Sequence, residues 1–258
     1  MLQQRMEAAV LAADEDQEVI QSSFDPIPSD ALDVPIPHYL EETYWWAYVR
    51  PWAVKFFERE WLVDLILWGN YRRLLQAALD VWGENLPGRT AQIACVYGDL
   101  SRRLHQRIEA SGGSLDIIDV LKVQLDNTRE KMGDASKVRL INMDSSDLKM
   151  PDATYDRALL FFLLHEQPRA VRNKTLREAM RIVKPGGTLL ILDFCKPAWW
   201  NPLKYMWLPI LGILEPFAPD LWKHHNITSW MPKDWNSRIV QRKTFFGGLY
   251  QTILLKRT

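Results

Sequence analysis

Cysteine is nearly absent: Cys95 and Cys195 are the two thiols in 258 residues, and both lie far apart inside apolar runs. That usage argues against a disulfide scaffold and suits a reducing, intracellular setting. A surplus of charge is missing as well, since Lys+Arg and Asp+Glu both number 32, which removes the positive field that non-specific nucleic-acid binding needs. No nucleic-acid partner is expected. No run of about 18 apolar residues occurs, so no spanning helix is expected, and the acidic start MLQQRMEAAVLAADEDQEV does not read as a secretory signal. With 12 Gly, 15 Pro and 47% hydrophobic residues, the chain is neither collagen-like nor disordered and can bury a substantial core. What is plentiful is tryptophan, and it is segregated: six fall between Trp45 and Trp82, six between Trp199 and Trp235, and none in between.

The chain divides accordingly. Residues 1–40 read as a flexible arm and extended linker, because FDPIPSDALDVPIPHYL packs four prolines into a short span. Residues 41–87 form a Trp-rich helical lid, with Trp45, Trp52, Phe56 and Leu62 spaced to share one broad apolar side. From residue 88 strands and helices alternate: AQIACVYG, then SRRLHQRIEA, SLDIIDV, LKVQLDNTREKM, KVRLINMD, RALLFFLL, RNKTLREAMRIV and, after KPGG, TLLILDF. Near-continuous apolar strands linked by helices predict a parallel sheet covered on both faces, with ligands held beyond the carboxyl ends of the strands. An apolar, Trp- and Pro-rich insertion spans 196–235, and the tail closes as two strands around Gly247-Gly248.

Each strand runs out in a polar group: Tyr97-Gly98-Asp99, Asp119, Asp144, His165-Glu166 and Asp193. Asp119 follows Gly98 at the separation of about 20 residues at which a carboxylate accepts from ribose hydroxyls, and Asp144 is placed to accept from an adenine amino group. Any one of these acids alone is equally well a loop or helix cap; their alignment at one sheet edge is the stronger signal. Gly98 is the single glycine of the first loop, where a dinucleotide site wants several for close approach to a pyrophosphate. A nucleoside ligand without pyrophosphate fits better, and S-adenosylmethionine is the natural candidate. His224-His225 is a poor metal pair, because adjacent side chains point in different directions.

Residues 88–258, with KPGG before the fifth strand, resemble the class I S-adenosylmethionine-dependent methyltransferases. More narrowly, YWWAYVRPWAV, VYGDLS, LDIIDVLKVQLDN, DSSDL, FFLLHEQP, KPGGTLLILDF and EPFAPDLW resemble the rhodoquinone biosynthesis (RquA) family. The resemblance implies a Rossmann-like α/β fold: a mostly parallel seven-stranded sheet with an antiparallel C-terminal hairpin, under an N-terminal helical lid. It implies replacement of a ubiquinone ring methoxy group by an amino group, with S-adenosylmethionine as nitrogen donor and manganese assisting. The expected cofactor-binding residues are Tyr97, Gly98, Asp99, Asp119, Val120, Asp144, Ser145 and Phe162. Oxygen and imidazole donors suit manganese, so His165, Glu166 and Asp193 are the candidate metal ligands, with Asp144 in reserve; for His165 a hydrogen-bonded pocket role stands beside ligation. Tyr97, Asp99 and His165 are the candidate bases.

A polyprenyl quinone resides in the bilayer, and Trp, Tyr and Lys favour the headgroup zone. Peripheral attachment to the cytoplasmic face of a respiratory membrane is therefore expected; a Trp-rich cap without lipid contact is the plainer reading. Two rival functions remain: conventional methyl transfer to a quinone or other lipophilic small molecule, and a non-catalytic quinone- or lipid-binding module.

Overall fold

The computed structural model describes residues 34–202, 204–205, 212, 215–223 and 237–258. Residues 1–33 of the expected arm and linker, about half of the insertion and His224-His225 lie outside the described residues, and the linker expected to run extended to residue 40 turns helical at His38. The lid begins with α1 (His38–Thr43), a π-helical turn (Trp45–Val49), α2 (Pro51–Phe57) and α3 (Glu60–Ile66). Then comes α4 (Tyr71–Trp82), whose Tyr71, Leu74, Leu75, Ala78 and Leu79 recur at helical spacing and are all buried. They pack with Leu190 and Leu192 of the sheet, so α4 is part of the central core.

The remaining elements are β1 (Arg89–Ile93), α5 (Leu100–Ala110), β2 (Ser114–Asp119), α6 (Lys122–Met132), β3 (Val138–Asn142), β4 (Tyr155–Phe161), α7 (Arg169–Arg181), β5 (Val183–Phe194), α8 (Ala218–Lys223), β6 (Ser237–Phe245) and β7 (Tyr250–Arg257). The seven strands are ordered β3-β2-β1-β4-β5-β7-β6. The first five run parallel and β7 inserts antiparallel between β5 and β6, as expected for the Rossmann-like methyltransferase fold.

Two strands end earlier than their apolar runs. β1 stops at Ile93 because Ala94 takes φ 77°, and β4 stops at Phe161 because Phe162 takes φ 55°. A left-handed residue with a side chain costs roughly 1–3 kcal/mol and breaks the strand pattern. The consequence is positional: the residues after each break turn into the space above the sheet. At the opposite edge, Gly187 has no room for a side chain, since a Cβ there would lie 2.6 Å from the Asp156 carbonyl oxygen. KPGG is thus a packing corner at the start of β5, which begins before it at Val183.

Candidate active site

A cavity of about 400 Å³ opens over the carboxyl ends of β1, β2 and β4 and is roofed by the lid. That volume lies within the range of ligand pockets. Tyr97, Asp119, Val120, Asp144, Ser145, Phe162, His165 and Glu166 all line it, so most of the expected set is brought together.

On the β1 side the loop is held by groups from elsewhere in the chain. Gly98 N–H donates to Glu58 Oε1 at 3.0 Å, Asp99 N–H to the Tyr71 hydroxyl at 2.6 Å, and Cys95 N–H to Asp119 Oδ2 at 2.7 Å. Lys131 Nζ donates to the carbonyls of Val96 and Gly98 at 2.7 and 3.0 Å, and to Glu58 at 2.8 Å. Gly98 is required here: its φ is 78°, and a Cβ would collide with the Tyr71 hydroxyl. Its amide is engaged, and Gly98 itself stands behind the cavity wall.

Two expectations for this loop are corrected. Asp99 turns outward, where Arg102 and Arg103 grip it at 2.7 and 2.9 Å; burial pushes its carboxyl up, but those bonds hold it below the usual range. It neither lines the cavity nor serves as a base. Tyr97 does line the cavity, but its ring is stacked between Tyr48 and Phe57, at 5.8 and 6.2 Å. Its hydroxyl donates to the Ala47 carbonyl at 2.9 Å and accepts from Gln124 at 2.7 Å, and burial drives its titration far above the ordinary range. A phenol so committed is a wall, not a base.

At the end of β2, Asp119 also accepts the Leu121 amide at 2.7 Å; burial pushes its carboxyl up to about 6 against these amide bonds. Asp144 accepts the Ser146 amide at 2.7 Å. Beside it, Gln167 donates to the Ser145 hydroxyl at 3.0 Å, while Gln167 Oε1 is buried with no donor in reach. An orphaned acceptor in a cavity wall is an opening for a ligand N–H.

The β4 and β5 ends carry the strongest electrostatics. Asp193, fully buried, accepts the amides of Leu164, His165 and Phe194 at 2.8, 3.3 and 2.7 Å and faces His165 Nδ1 at 2.9 Å. His165 Nε2 points the other way, 3.9 Å from Glu166 and 3.8 Å from Glu215. Burial alone would depress this imidazole, but Asp193, then Glu215 and Glu166, push it up to about 9. Glu166 is raised to about 8 by burial, and Glu215 is raised for the same reason. Each glutamate accepts from a lid phenol, Glu166 from Tyr48 at 2.6 Å and Glu215 from Tyr44 at 2.7 Å.

The expected metal set is therefore rearranged. Asp193 sits on the opposite ring nitrogen from Glu166, with its oxygens taken by amides, so it orients the imidazole. Glu215, which the sequence reading missed, takes its place beside Nε2. Among the described residues no group of three or more His, Cys, Asp or Glu side chains is arranged to hold a metal ion.

Behind the cluster Arg172, fully buried, joins the two segments that carry it. Its guanidinium donates to the carbonyls of Leu164 and Gln167, which bracket His165-Glu166, at 2.7 and 2.8 Å. It also reaches the Phe217 carbonyl, just after Glu215, at 3.0 Å and Asp220 at 3.3 Å.

Comparison with known proteins agrees with this architecture. Residues 91–187 match the methyltransferase domain family. The ubiquinone/menaquinone biosynthesis C-methyltransferase UbiE of Idiomarina loihiensis is 34% identical over 137 residues, which are 52% of this chain and 53% of that protein. The enzyme of the same name from Azotobacter vinelandii is 30% identical over 170 residues, 62% of this chain and 66% of that protein. The chain thus spans between half and two thirds of the length of these relatives. Among solved structures, an S-adenosylmethionine-dependent methyltransferase from Aquifex aeolicus superposes with a TM-score of 0.51 at 17% identity, covering 80% of this chain and 97% of that one. An O-methyltransferase family protein from Burkholderia thailandensis gives 0.55 at 14% identity, covering 74% and 57%. The fold is that of the class I S-adenosylmethionine-dependent methyltransferases, and the sequence matches support a place for this chain in that superfamily.

Proposed function

We propose that this chain is an S-adenosylmethionine-dependent transferase acting on the ring of a lipophilic quinone. The observation that carries the reading is one cavity in which nucleoside-binding acids at the β2 and β3 ends meet an imidazole between two buried carboxyls at the β4 and β5 ends. The residues fit the nucleoside: Asp119 is placed for ribose hydroxyls, the orphaned Gln167 Oε1 beside Asp144 and Ser145 for an adenine amino group, and Val120 and Phe162 flank them. The bound sulfonium would supply an electrophilic methyl group.

The curated relatives favour methyl transfer to ring carbon over the amination implied by the narrower resemblance, and methyl transfer is the primary reading. In that reaction a reduced ring attacks with its carbon, and a ring hydroxyl proton and then the ring hydrogen must leave. His165, Glu166 and Glu215 stand where those protons can go: His165 is raised to about 9 and Glu166 to about 8, with Glu215 raised as well, so the cluster accepts in its deprotonated form and turnover should rise with pH toward that range. Asp193 fixes the imidazole so that Nε2 faces the cavity side.

Amination is the second reading, and the loop favours it. Its one glycine amide is spent on Glu58 and its carbonyls on Lys131, so it does not present the glycine-rich backbone usual beneath the amino-acid end of the nucleoside. The methoxy-bearing carbon of a quinone is a vinylogous ester: the donor's α-amine adds there, loses a proton, and methoxide leaves as methanol. Loss of the donor's Cα proton then passes two electrons to the ring and leaves an imine, whose hydrolysis breaks the C–N bond and releases the aminoquinol and a 2-oxo acid. His165, Glu166 and Glu215 carry imidazole and oxygen donors of the kind manganese takes, but both carboxyls are committed to Tyr48 and Tyr44 and the described side chains are not arranged to hold the ion, so no step is routed through it.

One experiment separates the readings. The protein is incubated with ubiquinone or a demethylated quinol, with and without manganese, using methyl-labelled or nitrogen-15-labelled S-adenosylmethionine. Methyl label in the product supports the primary reading and nitrogen label the second. Transfer of neither label, with the quinone still bound, leaves a binding module.

A further inference from the structure

The lid presents a second apolar surface, directed away from the cavity. No residue of α3 is fully buried: Leu62, Val63 and Ile66 line the cavity, while Trp61 and Leu65 lie outside its lining and are 60% and 65% exposed. A short helix apolar on both sides is poorly matched to water on its outer side. On α2, Trp52 and Phe56 extend the exposed surface, and Trp45 adds to it from the preceding turn.

Basic side chains stand beside these rings. Arg50 lies over the Trp45 ring at 5.8 Å and Arg59 over the Phe56 ring at 5.5 Å, with Lys55 exposed between them. The acids of α2 and α3 are engaged elsewhere: Glu58 is turned inward to Gly98 and Lys131, Glu60 pairs with Arg72 at 2.7 Å and Asp64 accepts the Tyr71 amide at 3.0 Å, while Lys55 meets Glu130 at 3.3 Å. A second aromatic-basic group follows the carboxyl end of β5, the sheet edge that bears the lid: Trp199, Trp200 and Tyr205 are exposed, and Lys204 Nζ sits 4.6 Å from the Tyr205 ring centroid. Among the described residues no helix is long and apolar enough to cross a membrane.

We propose that α2, α3 and the side chains of Trp199, Trp200, Lys204 and Tyr205 seat this protein on an anionic phospholipid bilayer, with α3 standing between the lipid and the cavity. Aromatic rings with guanidinium and ammonium groups beside them match the interfacial zone, where rings enter the headgroup layer and cations meet lipid phosphates. A second copy is the weaker occupant, because a two-fold contact would set Arg50, Lys55 and Arg59 against their own images. The inference rests on the quinone reading for its purpose: a ring with a polyprenyl tail would pass from the bilayer beside α3 into a cavity lined by Leu62, Val63 and Ile66.

The test uses the full chain in flotation with phosphatidylcholine vesicles, with and without phosphatidylglycerol, comparing wild type with the double variant Trp61→Ser/Leu65→Ser. Wild type is expected to float with phosphatidylglycerol vesicles, less so at high salt, and the variant to bind at least about tenfold more weakly. Because neither residue lines the cavity, the variant should keep its melting temperature and its turnover of a tailless, water-soluble quinone. Failure of wild type to float, undiminished flotation of the variant, or a dimer that hides Trp61 would each overturn the proposal. Flotation without group transfer to any quinone would instead leave the docking surface standing and remove the function.

Discussion

Two buried clusters of charge occupy opposite ends of the same sheet. Near the amino ends, Asp116 of β2 accepts from Arg89 at 3.2 Å, Arg139 at 2.7 Å and the Tyr155 hydroxyl at 2.7 Å. One carboxylate meets two guanidinium groups and a phenol. At the carboxyl ends three carboxyls surround one imidazole, and burial drives Glu166 and Glu215 toward protonation. The central carboxylate of each cluster is buried, Asp116 at 3% and Asp193 at 0% side-chain exposure, so burial of the acid does not separate scaffold from site. The ratio of acid to base does: where base outnumbers acid, the carboxylate stays charged and the cluster holds strands together, and where acid outnumbers base, burial raises the carboxyls and protons become exchangeable.

The largest predicted effect tests the acid-rich end. His165→Gln keeps a donor for Asp193 and loses the titrating ring, so turnover should fall about 10²–10⁴-fold, with melting temperature close to wild type only above about pH 9, where the imidazole no longer adds stability; activity within tenfold of wild type would erase the distinction. Asp116→Ala should do the reverse, costing about 3–5 kcal/mol in denaturant unfolding by stranding Arg89 and Arg139, while turnover per folded molecule holds. Next is Arg172→Lys, which keeps the charge but not the fork that joins Leu164 and Gln167 to Phe217. It should lower turnover by up to about 10²-fold and shift the pH profile of catalysis, with nucleoside affinity by calorimetry unchanged.

A pH titration of unfolding sharpens the same contrast. His165 has its folded titration raised, so its contribution to stability is complete below about 6.5 and is lost as pH rises through about 9. A raised Glu166 acts in the same direction, from its ordinary value of 4.5 up to about 8. Wild type should therefore lose melting temperature between about pH 4.5 and 9, and Glu166→Gln should flatten the lower part of that fall. The smallest effect belongs to the loop: Tyr97→Phe removes bonds to Ala47 and Gln124 but keeps the stacked ring, for a loss of about 1 kcal/mol.

The sheet was legible because each strand is an apolar run and each crossover helix carries its own spacing. Its limits were not, since positive φ at Ala94 and Phe162 leaves no mark in composition. Asp119, Asp144 and His165 were readable from their place after apolar runs. The outward turn of Asp99 was available too, for Arg102 and Arg103 stand three and four residues on, where a helix brings them back to it. Glu215 was hidden in an apolar insertion distant in sequence from its partners. Tyr44 and Tyr48 were masked by the tryptophans around them, which drew the reading outward while the two phenols turn inward to Glu215 and Glu166.

The β1 loop owes its shape to Glu58, Tyr71, Asp119 and Lys131, none of which lies within it. A bend upheld by such props is free to exchange most of its own letters. The signature of its lineage then migrates from the loop to the residues that brace it, and a search for kin would do better to follow those braces than a glycine pattern.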